Sequence, residues 1–140
     1  MFVLILAGCN TQKKYSNFDY SFARSGGFSP IYENLLIRGN NAHYSFEGNG
    51  KKLKKDFTVS EESLKKIEIA ISQNNFRNIE EDYKKVYDRI STSIAVKKGP
   101  NSGRKTDASY IMKKDEQRFS NVAAVFAQII EINVNTSLDK

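Results

Sequence analysis

Residues 89–97 read Arg89-Ile90-Ser91-Thr92-Ser93-Ile94-Ala95-Val96-Lys97. Ile90, Ile94 and Val96 alternate with small side chains, and Thr92 falls on the same face as these three. Successive side chains of a β-strand point to opposite sides, so this period-two pattern predicts a strand with one buried face. A strand of this kind requires neighbouring strands, which the segments on either side of it are expected to supply.

The chain after this strand predicts a hairpin and then a helix. Gly99, Pro100 and Gly103 make residues 98–103 a hairpin loop, and residues 104–112 are expected to pair back as a strand. An amphipathic helix is predicted over residues 116–132, because its apolar side chains recur at helical spacing: Phe119, Val122, Ala123, Phe126, Ile129 and Ile130. Residues 135–140 are expected to form a frayed tail.

A second helix is predicted upstream, over residues 61–73. Ser60 is a suitable N-cap, and Glu61 and Glu62 place acids in the first turn, where the helix dipole favours them. The apolar side chains again follow helical spacing, at Leu64, Ile67, Ala70 and Ile71. Asn74 and Asn75 are expected to end the helix, and Phe76 and Ile79 to pack its exit onto the core.

The N-terminal part predicts three or four strands. Phe18, Tyr20 and Phe22 alternate in residues 18–24, which predicts a strand with these three side chains buried on one face. Residues 25–30 hold two glycines and a proline and predict a turn. Residues 35–38 and 42–46 then predict a hairpin, and residues 51–57, after a Gly48-Asn49-Gly50 turn, extend the sheet.

These elements define an α+β fold class. The order is β-β-β(-β)-α-β-β-α, an antiparallel sheet with two amphipathic helices packed on one face as a two-layer sandwich. The length of 140 residues allows one domain, which we place at residues 18–134. Nine Phe and seven Tyr supply a sufficient core.

The composition argues against nucleic acid as a partner. The formal net charge is +6, but the lysines occur in scattered pairs without a recognisable nucleic-acid-binding motif. We interpret this charge as a solvated surface that favours solubility.

No catalytic constellation is visible, and we predict a protein that is not an enzyme. His43 is the only histidine, and a Ser-His-acid triad would require Ser25 or Ser45 as its nucleophile. A strand histidine with a structural role is the preferred interpretation. A single cysteine and a single histidine cannot build a His/Cys metal site, and the acidic pair Asp115-Glu116 falls at a helix start, where capping accounts for it. We therefore predict no metal and no cofactor.

The N-terminus resembles a bacterial lipoprotein signal. Residues 2–8 are apolar or small, and Leu6-Ala7-Gly8-Cys9 matches the lipobox, in which the cysteine thiol receives a diacylglyceryl group. The resemblance implies that residues 1–8 are a partial signal peptide and that residues 9–17 are the lipidated Cys9 with a polar tether. Two or three acyl chains anchor a protein stably to a membrane.

This resemblance implies a cell-envelope location. A signal peptide usually begins with a basic segment, and none precedes residue 2, so we expect the true start codon to lie upstream of Met1. Asn10 follows the cysteine in place of the aspartate that retains enterobacterial lipoproteins in the inner membrane. We expect an outer-membrane lipoprotein that faces the periplasm.

The mature domain resembles the emfourin-like inhibitors of thermolysin-type metalloproteases. Arg24, Ser25, Gly26, Gly27 and Phe28 match their Arg-x-Gly-Gly-Phe motif, and Asp88 lies before the strand at 90–96, as it does in that pattern. The resemblance implies binding through these six residues. The longer plan, with extra strands over residues 42–57, is similar to uncharacterised envelope lipoproteins of Bacteroidetes.

Three functions follow as hypotheses. The first is a membrane-anchored, non-enzymatic binding module of unknown ligand. The second is an emfourin-like inhibitor of a thermolysin-type metalloprotease, and the third is a structural or accessory subunit of an envelope assembly. In each case the membrane is a partner through the lipid; the second hypothesis adds a protease as protein partner, the third an envelope complex, and the first leaves the ligand open.

Overall fold

The computed structural model describes residues 17–84 and 89–135. Its strands and helices follow in the order β1 (Tyr20–Gly26), β2 (Ile31–Arg38), β3 (Asn41–Gly48), β4 (Lys51–Thr58), α1 (Glu61–Gln73), β5 (Ile90–Val96), β6 (Gly103–Thr106) and α2 (Glu116–Ile130). Short 3-10 turns lie at Phe76–Asn78 and Lys113–Asp115, and a π-helical turn follows α2 at Glu131–Asn135. The six strands form one antiparallel sheet in the order β4-β3-β2-β1-β5-β6. The predicted α+β fold class is confirmed, with the optional fourth strand present.

Both helices pack on one face of the sheet. The ring of Phe126 in α2 stacks on Phe22 of β1, with centroids 5.7 Å apart, and Tyr20 meets the same ring at 6.2 Å. Ile67 of α1 is fully buried in this layer. The alternation quoted for residues 89–97 is confirmed at Ile94 and Val96, which are buried, but Ile90 is 38% exposed at the far end of the strand.

The two helices begin differently. The Ser60 hydroxyl accepts a hydrogen bond from the Ser63 N–H at 3.1 Å, so the predicted cap of α1 is confirmed. Asp115 makes no such cap at α2, and the capping interpretation is wrong for this residue. Its buried carboxylate instead accepts the Glu80 N–H at 2.9 Å and binds the Arg118 guanidinium. Asp115 therefore joins the loop after α1 to the start of α2.

β6 is much shorter than the predicted strand over residues 104–112. Its pairing stops at Thr106 because the Asp107 carboxylate accepts the Thr92 N–H at 2.6 Å in place of a backbone carbonyl. Tyr110 then adopts a positive φ of 92°, which turns the chain away. Ile111 forms an isolated bridge with Glu81 instead of extending the hairpin.

The first strand is displaced toward the C-terminus relative to the prediction. β1 starts at Tyr20 and continues to Gly26, so that Arg24 and Ser25 are strand residues and the turn is shorter than residues 25–30. Phe18 precedes the strand and, contrary to the prediction, does not share the buried face of Tyr20. It lies on the opposite face of the sheet, where the Lys97 ammonium sits 4.0 Å from its ring centroid.

Candidate functional site

The β1–β2 turn holds its shape through two glycines. Gly26 and Gly27 have φ values of 106° and 95°, a region that L side chains rarely adopt. A Cβ on Gly26 would lie 2.8 Å from the Arg89 carbonyl oxygen, and one on Gly27 would lie 3.2 Å from Cγ1 of Ile90. These glycines therefore allow the turn to lie directly against the start of β5.

Phe28 projects from this turn and is 87% exposed. Ser25, two residues before the turn's second glycine, is exposed on the side of the sheet away from the helices. An exposed phenyl ring contributes nothing to the core of this domain. Aromatic side chains of this size are frequent anchors of protein interfaces.

Arg24 pairs with a residue of the neighbouring strand rather than with the turn. Its guanidinium contacts the Glu33 carboxylate at 3.2 Å, and that carboxylate also accepts the Tyr44 hydroxyl at 2.5 Å. Burial, followed by the neighbouring Glu33, raises the pKa of the Tyr44 phenol well above its ordinary value. Arg24 is thus paired with Glu33, although its side chain remains 40% exposed.

A second segment joins the same end of the sheet. The Arg89 guanidinium lies over the Tyr110 ring at 4.6 Å and contacts Asp107 at 3.4 Å. The Asp82 N–H donates to the Tyr110 carbonyl at 2.9 Å. Tyr83 and Tyr110 are both exposed and both have positive φ, at 51° and 92°. Positive φ in a tyrosine is uncommon and carries backbone strain.

We call Phe28, Ile90 and Tyr110 the tip surface. All three are exposed at the end of the sheet where β1 finishes and β5 begins, because Gly27 packs against Ile90 and the neighbouring Arg89 lies over the Tyr110 ring. Only Phe28 belongs to the predicted site. The alternation predicts Ile90 on the buried face and Tyr110 in a strand, so the hydrophobic pattern does not reveal this grouping. The one relevant signal in the sequence is the pair of glycines, which permits another segment to approach closely.

The first residues that the structure describes lie at the other end of the sheet, just before β1. Asp19, just before β1, donates its N–H to the Ile37 carbonyl and accepts the Gly39 N–H through its carboxylate, both at 2.8 Å. Its carbonyl also accepts the Lys97 N–H at 2.9 Å. Tyr20 and Gly26 are the two ends of one strand, so the tip lies roughly 20 Å from this entry point.

His43 occupies the sheet face away from the helices. Its Nδ1 lies within hydrogen-bonding distance of the Asp56 carboxylate on the neighbouring strand. Both line an open groove of about 800 Å³, together with Phe18, Leu36 and Arg38. Ser25 is two strands away from His43, roughly 10 Å or more, which is too far for a nucleophile and its base. The Ser45 hydroxyl makes no hydrogen bond with any described residue.

Two of the predicted site residues, Cys9 and Asp88, lie outside the described residues. Across residues 17–84 and 89–135, no three His, Cys, Asp or Glu side chains are grouped as a metal ion would require. No helix in the same ranges is long and apolar enough to cross a membrane. Comparison with protein-family models and with curated proteins gives no match to this chain.

Proposed function

We propose that this protein is a non-enzymatic binding module of the bacterial cell envelope, lipid-anchored through Cys9. Its tip surface is the contact with a protein partner. The observation that carries the proposal is the exposed Phe28, held on a glycine-shaped turn at the end of the sheet opposite the chain entry at residue 17.

The position of the tip suits an anchored protein. Residues 9–17 join the domain beside Asp19, so a lipid on Cys9 holds that end of the sheet near the membrane. The tip surface lies at the end of the sheet farther from this attachment, by about the length of a strand, roughly 20 Å. A periplasmic partner can reach it there without competition from the bilayer.

The chemistry of the tip favours a protein partner. Phe28 and Tyr110 are aromatic, and aromatic side chains are enriched at the centres of protein interfaces. Arg89 and Asp107 beside them form an ion pair at 3.4 Å that supplies a polar border. Such a surface requires an apolar pocket or groove on the partner.

A photo-crosslinking amino acid at position 28 tests this proposal in intact envelopes. We expect a discrete crosslinked product from position 28 and none from position 69 on α1, whose isoleucine is also exposed, at 45%. Identical products from both positions, or none from position 28, would contradict the proposal. A soluble protease as the product indicates an inhibitor, whereas a stable membrane complex indicates an accessory subunit.

Inhibition of a thermolysin-type metalloprotease is the second candidate. It is favoured by the ordered protrusion of Phe28 on a turn whose two glycines fix it against β5. A loop that is already rigid loses little entropy when it enters a protease cleft. The test is an inhibition assay with thermolysin, in which no effect at micromolar concentration would exclude this candidate for that enzyme class.

A further inference from the structure

The side of the sheet turned away from the two helices, here called the open face, is built in lateral rows across all six strands. The strand registers place the first row next to the chain entry and the second row one step toward the tip. The first row is Arg104, Ala95, Ser21, Leu36, His43 and Asp56, and the second is Thr106, Ser93, Ala23, Asn34, Ser45 and Lys54.

Side-chain length varies systematically across these rows. The four inner strands carry mostly short side chains, whereas the outer strands carry Lys54 on β4 and Arg104 on β6. Long cations at both borders and mostly shorter residues between them make a shallow channel; Asp56, which shares the β4 border with Lys54, contacts the His43 imidazole.

The floor of this channel combines hydroxyl and amide groups with the apolar side chains of Ala23, Leu36 and Ala95. Ser21, Asn34, Ser45 and Ser93 are half-buried, and their side chains make no hydrogen bond with any residue in the described part of the chain. Lys54 and Arg104 are exposed, and within the same ranges neither forms an ion pair. The face therefore offers neutral donors and acceptors at its centre and unpaired cations at its margins.

We propose that the open face binds an extended acidic polysaccharide of the uronate type. Sugar hydroxyls are both donors and acceptors, and they match the serine hydroxyls and the Asn34 amide. The carboxylates of such a chain complement Lys54 and Arg104, which are separated by five strand spacings, roughly 24 Å. This proposal is independent of the tip surface and of the lipid anchor.

Other polyanions fit the channel less well. Single-stranded nucleic acid is held by a series of aromatic platforms for successive bases, whereas neither row contains a Phe, Tyr or Trp ring and the next row toward the tip contributes Tyr32 alone among the described residues. The Phe18 ring, at the entry end of the face, lies beneath the Lys97 ammonium. A bilayer surface is flat, and it would meet the border cations without reaching the recessed floor. A second copy of this chain would bring cationic borders against one another.

The test uses the full chain with Cys9→Ser, which removes lipidation and thiol pairing, and fluorescently labelled oligogalacturonate as the probe. We expect saturable binding that weakens at least tenfold with Lys54→Glu and with Arg104→Glu. We expect an equal loss with Ser45→Leu, which blocks the floor without changing charge. Lys65→Glu, an exposed lysine on α1, is the matched control and should leave binding unchanged.

Four results would overturn the proposal. These are no saturable binding, an equal loss in Lys65→Glu, undiminished binding to a length-matched neutral galactan, and tighter binding to oligothymidylate or to phosphatidylglycerol vesicles. Thermal unfolding of each variant is measured in parallel. If Ser45→Leu fails to fold, the exposed Lys54→Glu variant and its Lys65→Glu control still decide the question.

Discussion

Gly26 lies so close to Arg89 that a Cβ atom on the glycine would stand 2.8 Å from the arginine's carbonyl oxygen. The two residues belong to neighbouring segments, β1 and the approach to β5. This contact fixes the turn that carries Phe28. It also gives the paired glycines of the sequence a structural cause, independent of any binding partner.

Gly26→Ala should therefore destabilise the domain more than an alanine at another glycine of positive φ. Gly99 is the matched control, because its φ is 84° and a Cβ added there would have no atom within 4 Å. Gly99→Ala should cost about 1–2 kcal/mol from backbone strain alone. Gly26→Ala should cost at least about 1 kcal/mol more from steric overlap. Urea unfolding of the two variants measures this difference, and equal losses would show that the strand contact is unimportant.

Phe28→Ala should affect binding and not folding. The side chain is 87% exposed, so the free energy of unfolding should change by less than about 0.5 kcal/mol. Loss of a central aromatic contact should weaken binding to the crosslinked partner by about tenfold or more. Ile69→Ala on α1 serves as the control and should leave binding unchanged. Unaltered affinity in Phe28→Ala would show that the tip surface does not bind the partner.

Asp115→Asn should lower the stability of the domain by about 1–3 kcal/mol at neutral pH, because a buried carboxylate loses hydrogen bonds to a charged partner. Burial alone raises the pKa of Asp115, but the Glu80 N–H and the Arg118 guanidinium outweigh burial and hold it below its ordinary 3.8. The stabilisation is present above about pH 4 and is lost as the pH falls through the lowered pKa.

The acid dependence distinguishes Asp115 from a surface carboxylate. Urea unfolding at neutral pH and at a pH below the ordinary aspartate pKa should show a smaller acid-induced loss in Asp115→Asn than in the natural protein. Glu68→Gln, an exposed carboxylate on α1, should behave like the natural protein under both conditions. The same acid dependence in Asp115→Asn as in the natural protein would contradict the assignment.

Tyr44→Phe should change the alkaline limit of stability. Burial and Glu33 raise the pKa of the Tyr44 phenol above its ordinary 10.0, so the neutral form stabilises the fold below about pH 10, and this contribution declines at higher pH. At neutral pH the variant should lose about 1 kcal/mol with the hydrogen bond to Glu33. Chemical unfolding from neutral pH to above the ordinary tyrosine pKa should show a flatter alkaline decline in Tyr44→Phe, and parallel curves would refute the proposed role.

Local signals predict the larger elements because each is specified within its own segment. Ser60 and the spacing of Ile67 and Ile71 define α1, and the alternation around Ile94 defines β5. The end of β6 is not predictable in this way. It depends on Asp107, whose carboxylate takes the place of a backbone partner for Thr92 on another strand.

The site is predictable only in part for the same reason. The two glycines mark the turn. The ion pair of Arg24, however, depends on Glu33 in β2, whose carboxylate also binds Tyr44 in β3. The grouping of Tyr110 with Ile90 at the tip depends on Arg89, which joins segments that are distant in the sequence. The open face likewise emerges only when the strand order is known, because its rows combine single residues from six strands.

Lipidation of Cys9 is the claim on which the envelope location depends, and metabolic labelling with radiolabelled palmitate in a bacterial host tests it directly. We expect label in the natural protein, recovered with the membrane fraction, and no label in Cys9→Ser. Label that persists in Cys9→Ser, or an unlabelled natural protein that remains in the soluble fraction, would contradict it.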